Sequence, residues 1–339
     1  MTINKLKISC IQLIVLLSLS VCSQPQSSRT EFVLGGTVCT ITLFEQGKDS
    51  VYRDIFSRLR EIENLMSVNI PSSDVSRINA AAGVKPVQVH DDVFIVIERA
   101  VYYAQLSGGA FDPSVGPLVS LWGIGSNNAK VPSPAEIDKV LPLINWQDIE
   151  LDPQTKSVYL KNKGMALDLG AIAKGYAADE AAAMIKKTTV ERAIIDLGGN
   201  ILILGEKKDK SLWKVGVQDP YGSRGSYIGI LQITEKTVVT SGVYERFFEE
   251  GETRYHHIFS PSNGFPVNNG FLSVIIITNN SMNADALSTA VFVLGYEKGR
   301  KLVELLPETE AIFIFEDRSI RKTAGTDFTL TDNSFRLVD

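Results

Sequence analysis

Four short segments of the chain combine residue types whose spacing could do chemistry. The run Asn283-Ala284-Asp285-Ala286-Leu287-Ser288-Thr289-Ala290 sets Asp285 and Thr289 four residues apart, so on a helix they share one face. A carboxylate and a hydroxyl are hard oxygen donors, suited to Mg²⁺ and poor for zinc. The plainer reading has Thr289 bonding back into its own helix and Asp285 capping it. In residues 167–176 (LDLGAIAKGY), Asp168, a Gly-Ala turn and Lys174 stand where a strand hands over to a helix. Such a junction offers backbone N–H groups and a positive dipole to a phosphate, and Lys174 adds a point charge. A capped helix carrying a surface Lys is the bland alternative.

The third segment runs from Thr240-Ser241-Gly242-Val243-Tyr244-Glu245-Arg246 to Tyr255-His256-His257-Ile258, and holds two of the three His. Adjacent residues on an extended strand point to opposite faces, so at most one of this His pair faces a given site. His90 precedes Asp91-Asp92 at a helix start and reads as a capping or surface residue. The fourth segment, Gly108-Gly109-Ala110-Phe111-Asp112-Pro113, closes a helix. Gly supplies positive φ there and Pro stops the helix, which leaves Phe111 and Asp112 on a turn with no stated task. Gly123-Ile124-Gly125 begins a dinucleotide-like pattern, but Asn128 stands where the third Gly belongs, so it reads as a loop.

The elements that must position these residues follow from apolar periodicity. Residues 31–45 read as β-structure broken by Gly35-Gly36. From Val51, Ile55, Leu59, Ile62 and Leu65 recur at helical spacing, and a second helix spans 91–106. Strands are expected at 157–161, 165–169, 193–196, 201–204, 213–218, 228–233, 238–240, 273–278 and 311–315. Helices are expected at 171–186, 283–294 and 298–306. Hairpin-length spacings dominate the second half, so the fold class is α+β, with mainly antiparallel sheets packed against helices. No linker composition marks an internal boundary, and residues 31–339 read as one connected globule or two halves without a linker.

The chain has 339 residues, 34 Lys+Arg against 39 Asp+Glu, and a formal charge of −5. This mild acidity argues against a nucleic-acid partner, and three His with three Cys argue against a zinc cluster or disulfide framework. Lys5 and Lys7 precede an uncharged run from 8 to 21 that is shorter than the ~20 apolar residues a bilayer span needs. Residues 1–21 therefore read as a signal peptide. The run closes on Leu19-Ser20-Val21-Cys22, which resembles a bacterial lipobox with Val21 in place of the usual small residue. Cys22 then becomes a lipidated N-terminus, residues 22–30 a tether, and the domain 31–339 lies on the extracytoplasmic side of the membrane. With Cys10 removed, Cys39 is the remaining thiol and no intramolecular disulfide forms.

In this order the segments resemble the ApbE family of flavin transferases. The resemblance covers roughly residues 31–320. It rests on LGGT at 34–37, SVNIPSSDVSRIN at 67–79, GGAFDPSVGPLVSLWG at 108–123, LDLGAIAKGYAAD at 167–179, DLGGN at 196–200, TSGVYER at 240–246, HHIFSPSNGFP at 256–266 and DALSTA at 285–290. It implies an FAD:protein FMN transferase that uses FAD as substrate with Mg²⁺, leaves FMN on a Thr or Ser hydroxyl and releases AMP. Carried over, Asp168 and Lys174 contact FAD, and the Ala171 carbonyl ligates Mg²⁺ with Asp285 and Thr289. Ala110, Phe111 and Asp112 hold the flavin nucleotide, and Asn69 lines the pocket. His257 opens a His-Ile motif with Ile258 and is the implied base. The implied partners are acceptor flavoprotein subunits of membrane redox complexes. Gly35 replaces the family's usual Met, and Ser260-Pro261 and Asn263-Gly264 replace its usual Asp-Pro and Thr-Gly. An FAD pyrophosphatase and a flavin-binding lipoprotein are the alternatives.

Overall fold

The computed structural model describes residues 27–45 and 49–338. The leader 1–21, Cys22 and the first residues of the tether lie outside them.

Nine strands form the main sheet and stand side by side in chain order: Ser27–Val33, Thr37–Leu43, Ala193–Leu197, Asn200–Leu204, Thr237–Gly242, Phe271–Thr278, Glu310–Phe315, Ser319–Lys322 and Arg336–Leu337. Neighbours are antiparallel except the last pair. Thr37–Leu43 pairs with Ala193–Leu197 in a register that sets Cys39 opposite Leu197. The central strands are buried on both faces. Val274, Ile276 and Phe313 enter one core, while Ile275, Ile277, Ile312 and Ile314 enter a second on the other side. A strand buried on both faces cannot alternate apolar with polar, which explains the unbroken apolar run there.

Eight α-helices occur among the described residues: α1 (Asp49–Met66), α2 (Asp74–Ala80), α3 (Asp91–Leu106), α4 (Gly116–Trp122), α5 (Pro134–Val140), α6 (Ala173–Lys186), α7 (Ser281–Leu294) and α8 (Tyr296–Glu304). In α1, Ile55, Leu59, Ile62 and Met66 face the first core, one apolar stripe along the helix. His90 caps α3, its Nδ1 accepting from Asp92 N at 3.3 Å. Arg58 of α1 pairs with Asp92 of α3 at 2.6 Å and Glu180 of α6 at 2.8 Å, tying three helices together. The second core is covered by a three-stranded sheet of Trp213–Gln218, Tyr227–Ile233 and Phe328–Leu330. The architecture is α+β, with helices on one face of the main sheet and a small sheet on the other.

Three expectations change. The first strand begins at Ser27, inside the segment read as tether, because residues 27–30 pair with 40–43. Residues 165–169 are extended but form no strand: Ala166 makes one isolated parallel bridge to Val115. Asn79 of α2 replaces the missing neighbour strand, since its Oδ1 accepts from Leu167 N at 2.7 Å and its Nδ2 donates to Leu167 O at 3.0 Å. The helix expected from 171 begins at Ala173. The short helices α2, α4 and α5 and the hairpin of Phe247–Glu250 with Thr253–His256 had no expectation, being too short to show a period. No helix among the described residues is long and apolar enough to cross a membrane.

Candidate active site

The site is built where α6 crosses α7. Gly175, in the first turn of α6, lies against the start of α7, and a Cβ there would stand 2.2 Å from Ser281 O and 2.6 Å from Met282 Cα. Only glycine admits this approach. Asp179, further along α6, fixes the start of α7 by accepting from Ser281 N, Met282 N and Asn280 Nδ2 at 2.8–2.9 Å. Burial pushes the Asp179 carboxyl up to about 6.

This crossing carries Asp285 to the N-terminus of α6. Its Oδ2 accepts from Gly175 N at 2.9 Å and its Oδ1 stands 3.4 Å from Lys174 Nζ, with the residue only 4% exposed. Lys174 Nζ also donates to Gly170 O at 2.9 Å. No side chain caps α6 at Ile172, so the carboxylate from α7 supplies the negative charge that this helix end attracts. The amides expected to be free for a phosphate are therefore largely engaged. Ile172 N and Ala173 N donate to Leu169 O, and Gly175 N donates to Asp285.

That last bond has a second effect. In a regular helix Gly175 N would donate to Ala171 O. Diverted to Asp285, it leaves the Ala171 carbonyl with no hydrogen bond from the described residues. Thr289 lies one turn beyond Asp285, its Oγ1 3.4 Å from Ser241 Oγ. Back-bonding falls to Ser288, whose Oγ donates to Asp285 O at 2.8 Å, and Asn280 caps α7. The hydroxyl of Thr289 is not consumed in its own helix, and Asp285 caps α6 rather than α7. A carboxylate, an unpaired carbonyl and a hydroxyl are all oxygen donors, a set that fits Mg²⁺.

Asp168 is half-buried, with Oδ1 accepting from Gly170 N at 2.8 Å. Burial raises its pKa, opposed by that bond and by the charges of Arg246 and Lys174. The same two cations act on His257. Burial and their charge push its pKa down to about 3, so the ring is neutral at pH 7. His257 follows the Thr253–His256 strand, and both its N (3.1 Å) and its Nδ1 (3.2 Å) meet the single carbonyl of Arg246.

The two His have different tasks. His256 is buried, with Nε2 on Val267 O at 2.9 Å and Nδ1 accepting from Ile258 N at 3.2 Å. These partners assign the proton to Nε2 and make His256 a brace for the chain beneath His257. Ile258 is itself buried in the first core.

Phe111 and Asp112 turn inward. Phe111 packs in the first core, and the Asp112 carboxylate accepts from Ser114 N, Ser114 Oγ and Trp146 N at 2.6–3.1 Å. Burial raises the Asp112 pKa. Their task is to hold the 108–115 turn beside Asp168, whose N donates to Pro113 O at 2.9 Å. Ala110 stays half-exposed on that turn. Asn69 is exposed on the loop between α1 and α2, its N bonded to Ser67 Oγ, and no hydrogen bond joins it to the cluster.

The structure thus gathers Asp168, Ala171, Lys174, His257, Asp285 and Thr289 around the α6–α7 crossing. It adds Gly175, Asp179, Ser241 and Arg246, which the sequence did not single out. Each acts through a contact to a distant segment, visible beforehand only as a small or polar residue inside a quoted motif.

A model of the ApbE family matches residues 35–313. FAD:protein FMN transferases from Treponema pallidum and Klebsiella pneumoniae are each 38% identical to the chain. The first match covers 88% of this chain and 87% of that protein, the second 91% and 96%. The solved structure of the ApbE protein from Thermotoga maritima has a TM-score of 0.81 at 33% identity, covering 88% of this chain and 97% of that one. The flavin transferase ApbE from Vibrio cholerae has a TM-score of 0.77 at 26% identity, covering 92% and 99%. With the family model spanning most of its length and two relatives matched nearly end to end, the chain belongs to the ApbE family.

Proposed function

We propose that the protein is an Mg²⁺-dependent FAD:protein FMN transferase acting on a Thr or Ser hydroxyl of an acceptor flavoprotein. One observation carries the reading: Gly175 N is diverted to the Asp285 carboxylate, which leaves the Ala171 carbonyl with no hydrogen bond from the described residues, and Thr289 lies one turn beyond Asp285 on α7. Ala171, Asp285 and Thr289 would hold the metal. When bound, Mg²⁺ supplies charge neutralisation on the non-bridging phosphate oxygens, the main requirement of phosphoryl-type transfer.

The chain's own groups account for the rest. Lys174, held by Gly170 O and Asp285, presents a fixed positive charge to the diphosphate. The acceptor hydroxyl oxygen bonds to the phosphorus on the riboflavin side while the bridging P–O bond breaks. The electron pair leaves with AMP, and the hydroxyl proton passes to His257. His257 is neutral and able to accept that proton. Burial is the main cause of its low pKa, and a diphosphate beside Arg246 and Lys174 offsets the two charges that add to it, which strengthens it as a base.

The acceptors are proposed to be flavoprotein subunits of membrane redox complexes, met on the extracytoplasmic side by an enzyme anchored through Cys22. The test is incubation with FAD, Mg²⁺ and such a subunit, followed by mass spectrometry of protein and nucleotide. A flavinylated acceptor with AMP supports transfer. Free FMN and AMP beside an unmodified acceptor indicate a hydrolase, and unchanged FAD indicates a binding protein.

A further inference from the structure

Arg246 stands at the turn between the Thr237–Gly242 strand and the Phe247–Glu250 hairpin, with its backbone pinned and its side chain exposed. Its carbonyl accepts from His257 N and also meets His257 Nδ1. Among the described residues, no carboxylate lies within ion-pair distance of its guanidinium, whereas the adjacent Glu245 faces Arg224 at 4.0 Å. Its side chain passes Gly125, with Cδ 3.9 Å from where a Cβ on that residue would stand. Gly125 has φ +89°, a conformation glycine tolerates, and the 3.9 Å spacing is ordinary van der Waals contact.

The charge is nevertheless felt inside the site. Arg246 and Lys174 are the two cations that act on both Asp168 and His257. Lys174 is engaged by Gly170 O and Asp285, while the exposed Arg246 guanidinium has no carboxylate partner among the described residues. A planar guanidinium matches two phosphate oxygens at once, which an ammonium cannot.

We propose that Arg246 clamps the diphosphate of the dinucleotide from the solvent side and so discriminates FAD from flavins that lack a diphosphate. This deepens the flavin-transfer reading and rests on it. Lys174 meets the same group from inside, and the two positive charges match the two negative charges of the diphosphate.

The experiment is stopped-flow fluorescence binding of FAD and of riboflavin, with Mg²⁺ present and no acceptor, to wild type, Arg246→Ala and Arg246→Lys. Loss of a charge-assisted contact to phosphate predicts FAD binding weakened about tenfold or more in Arg246→Ala. Riboflavin binding stays within about twofold, and Arg246→Lys falls between. Because the pinned atom is a backbone carbonyl, truncation leaves the His257 contacts in place. Equal weakening of FAD and riboflavin would show that Arg246 only shapes the pocket, and unchanged FAD affinity would show that it makes no contact. Either overturns the proposal. Wild-type protein that fails to bind FAD at all would overturn the flavin-transfer reading itself.

Discussion

His256 and His257 are neighbours in sequence with separate physical roles, and that separation is measurable. A Thr hydroxyl is a weak nucleophile at neutral pH, and a positioned base contributes ~10²–10⁴-fold. His257→Ala should lower the transfer rate by about that factor in single-turnover assays while FAD titration shows binding retained. His256→Ala removes a buried donor from Val267 O, at a stability cost of about 1–3 kcal/mol in denaturant melts and with a much smaller loss of rate per folded molecule. Asp285 gives the second test at this scale. Asp285→Ala removes the one carboxylate among the proposed metal-holding groups and uncaps α6 together. Turnover should vanish at ordinary Mg²⁺ with the fold retained by circular dichroism, and an active variant would sink the metal assignment. The sequence alone points to Asp285, Thr289 and Lys174, because oxygen donors and a cation at helical spacing are a local property. It does not reveal Arg246 or the inward turn of Phe111 and Asp112, which depend on what the rest of the chain brings alongside.

At the scale of elements, the site is a crossing of two helices held by five polar contacts, three to Asp179 and two to Asp285, and one missing side chain. Gly175→Ala places a methyl 2.2 Å from Ser281 O, so α6 and α7 must separate. We expect about 1–3 kcal/mol of destabilisation by thermal melting. The Mg²⁺ concentration needed for half-maximal turnover should rise with it, since the same separation stretches the bond between Gly175 N and Asp285. Asp179 gives a pH signature. Its pKa rises from the ordinary 3.8 unfolded to about 6 folded, so the folded state holds the proton more tightly. The stability it contributes is complete below about pH 4 and is lost as pH rises through about 6. Wild type should therefore lose stability relative to Asp179→Asn across that window, and parallel melting curves would contradict this. The long helices α1 and α3 were legible because their apolar stripes repeat over several turns. The α6–α7 crossing was not, because Gly175 and Asp285 are far apart in the chain and neither type announces the other.

For the whole molecule, antiparallel pairing was legible from hairpin-length spacing between successive strands. The small sheet over the second core was not, because Phe328–Leu330 joins Tyr227–Ile233 across a long stretch of chain. The proposed lipid anchor at Cys22 supplies the prediction at this scale. Two or more acyl chains hold a protein stably at a bilayer where one does not. Cys22→Ser should move the protein from the membrane fraction to the soluble fraction on ultracentrifugation, and unchanged partitioning would count against the anchor. A lipid on Cys22, as proposed, would stand with four residues between it and Ser27, the first residue of the main sheet among the described residues.

The pairing of Cys39 with Leu197 has a consequence for how the enzyme comes into being. It closes a loop of roughly 150 residues, and the entropy of closing a loop must be met before its contacts return anything. Inside that loop lie α1, the 108–115 turn, Asp168 and all of α6. The N-terminal hairpin therefore waits, unpaired along one edge, until the chain beyond residue 193 has emerged. Folding should be slow for a chain of this size. A polypeptide stopped short of Ala193 should present an open strand edge and no organised flavin site, a form suited to capture by chaperones or by another copy of itself.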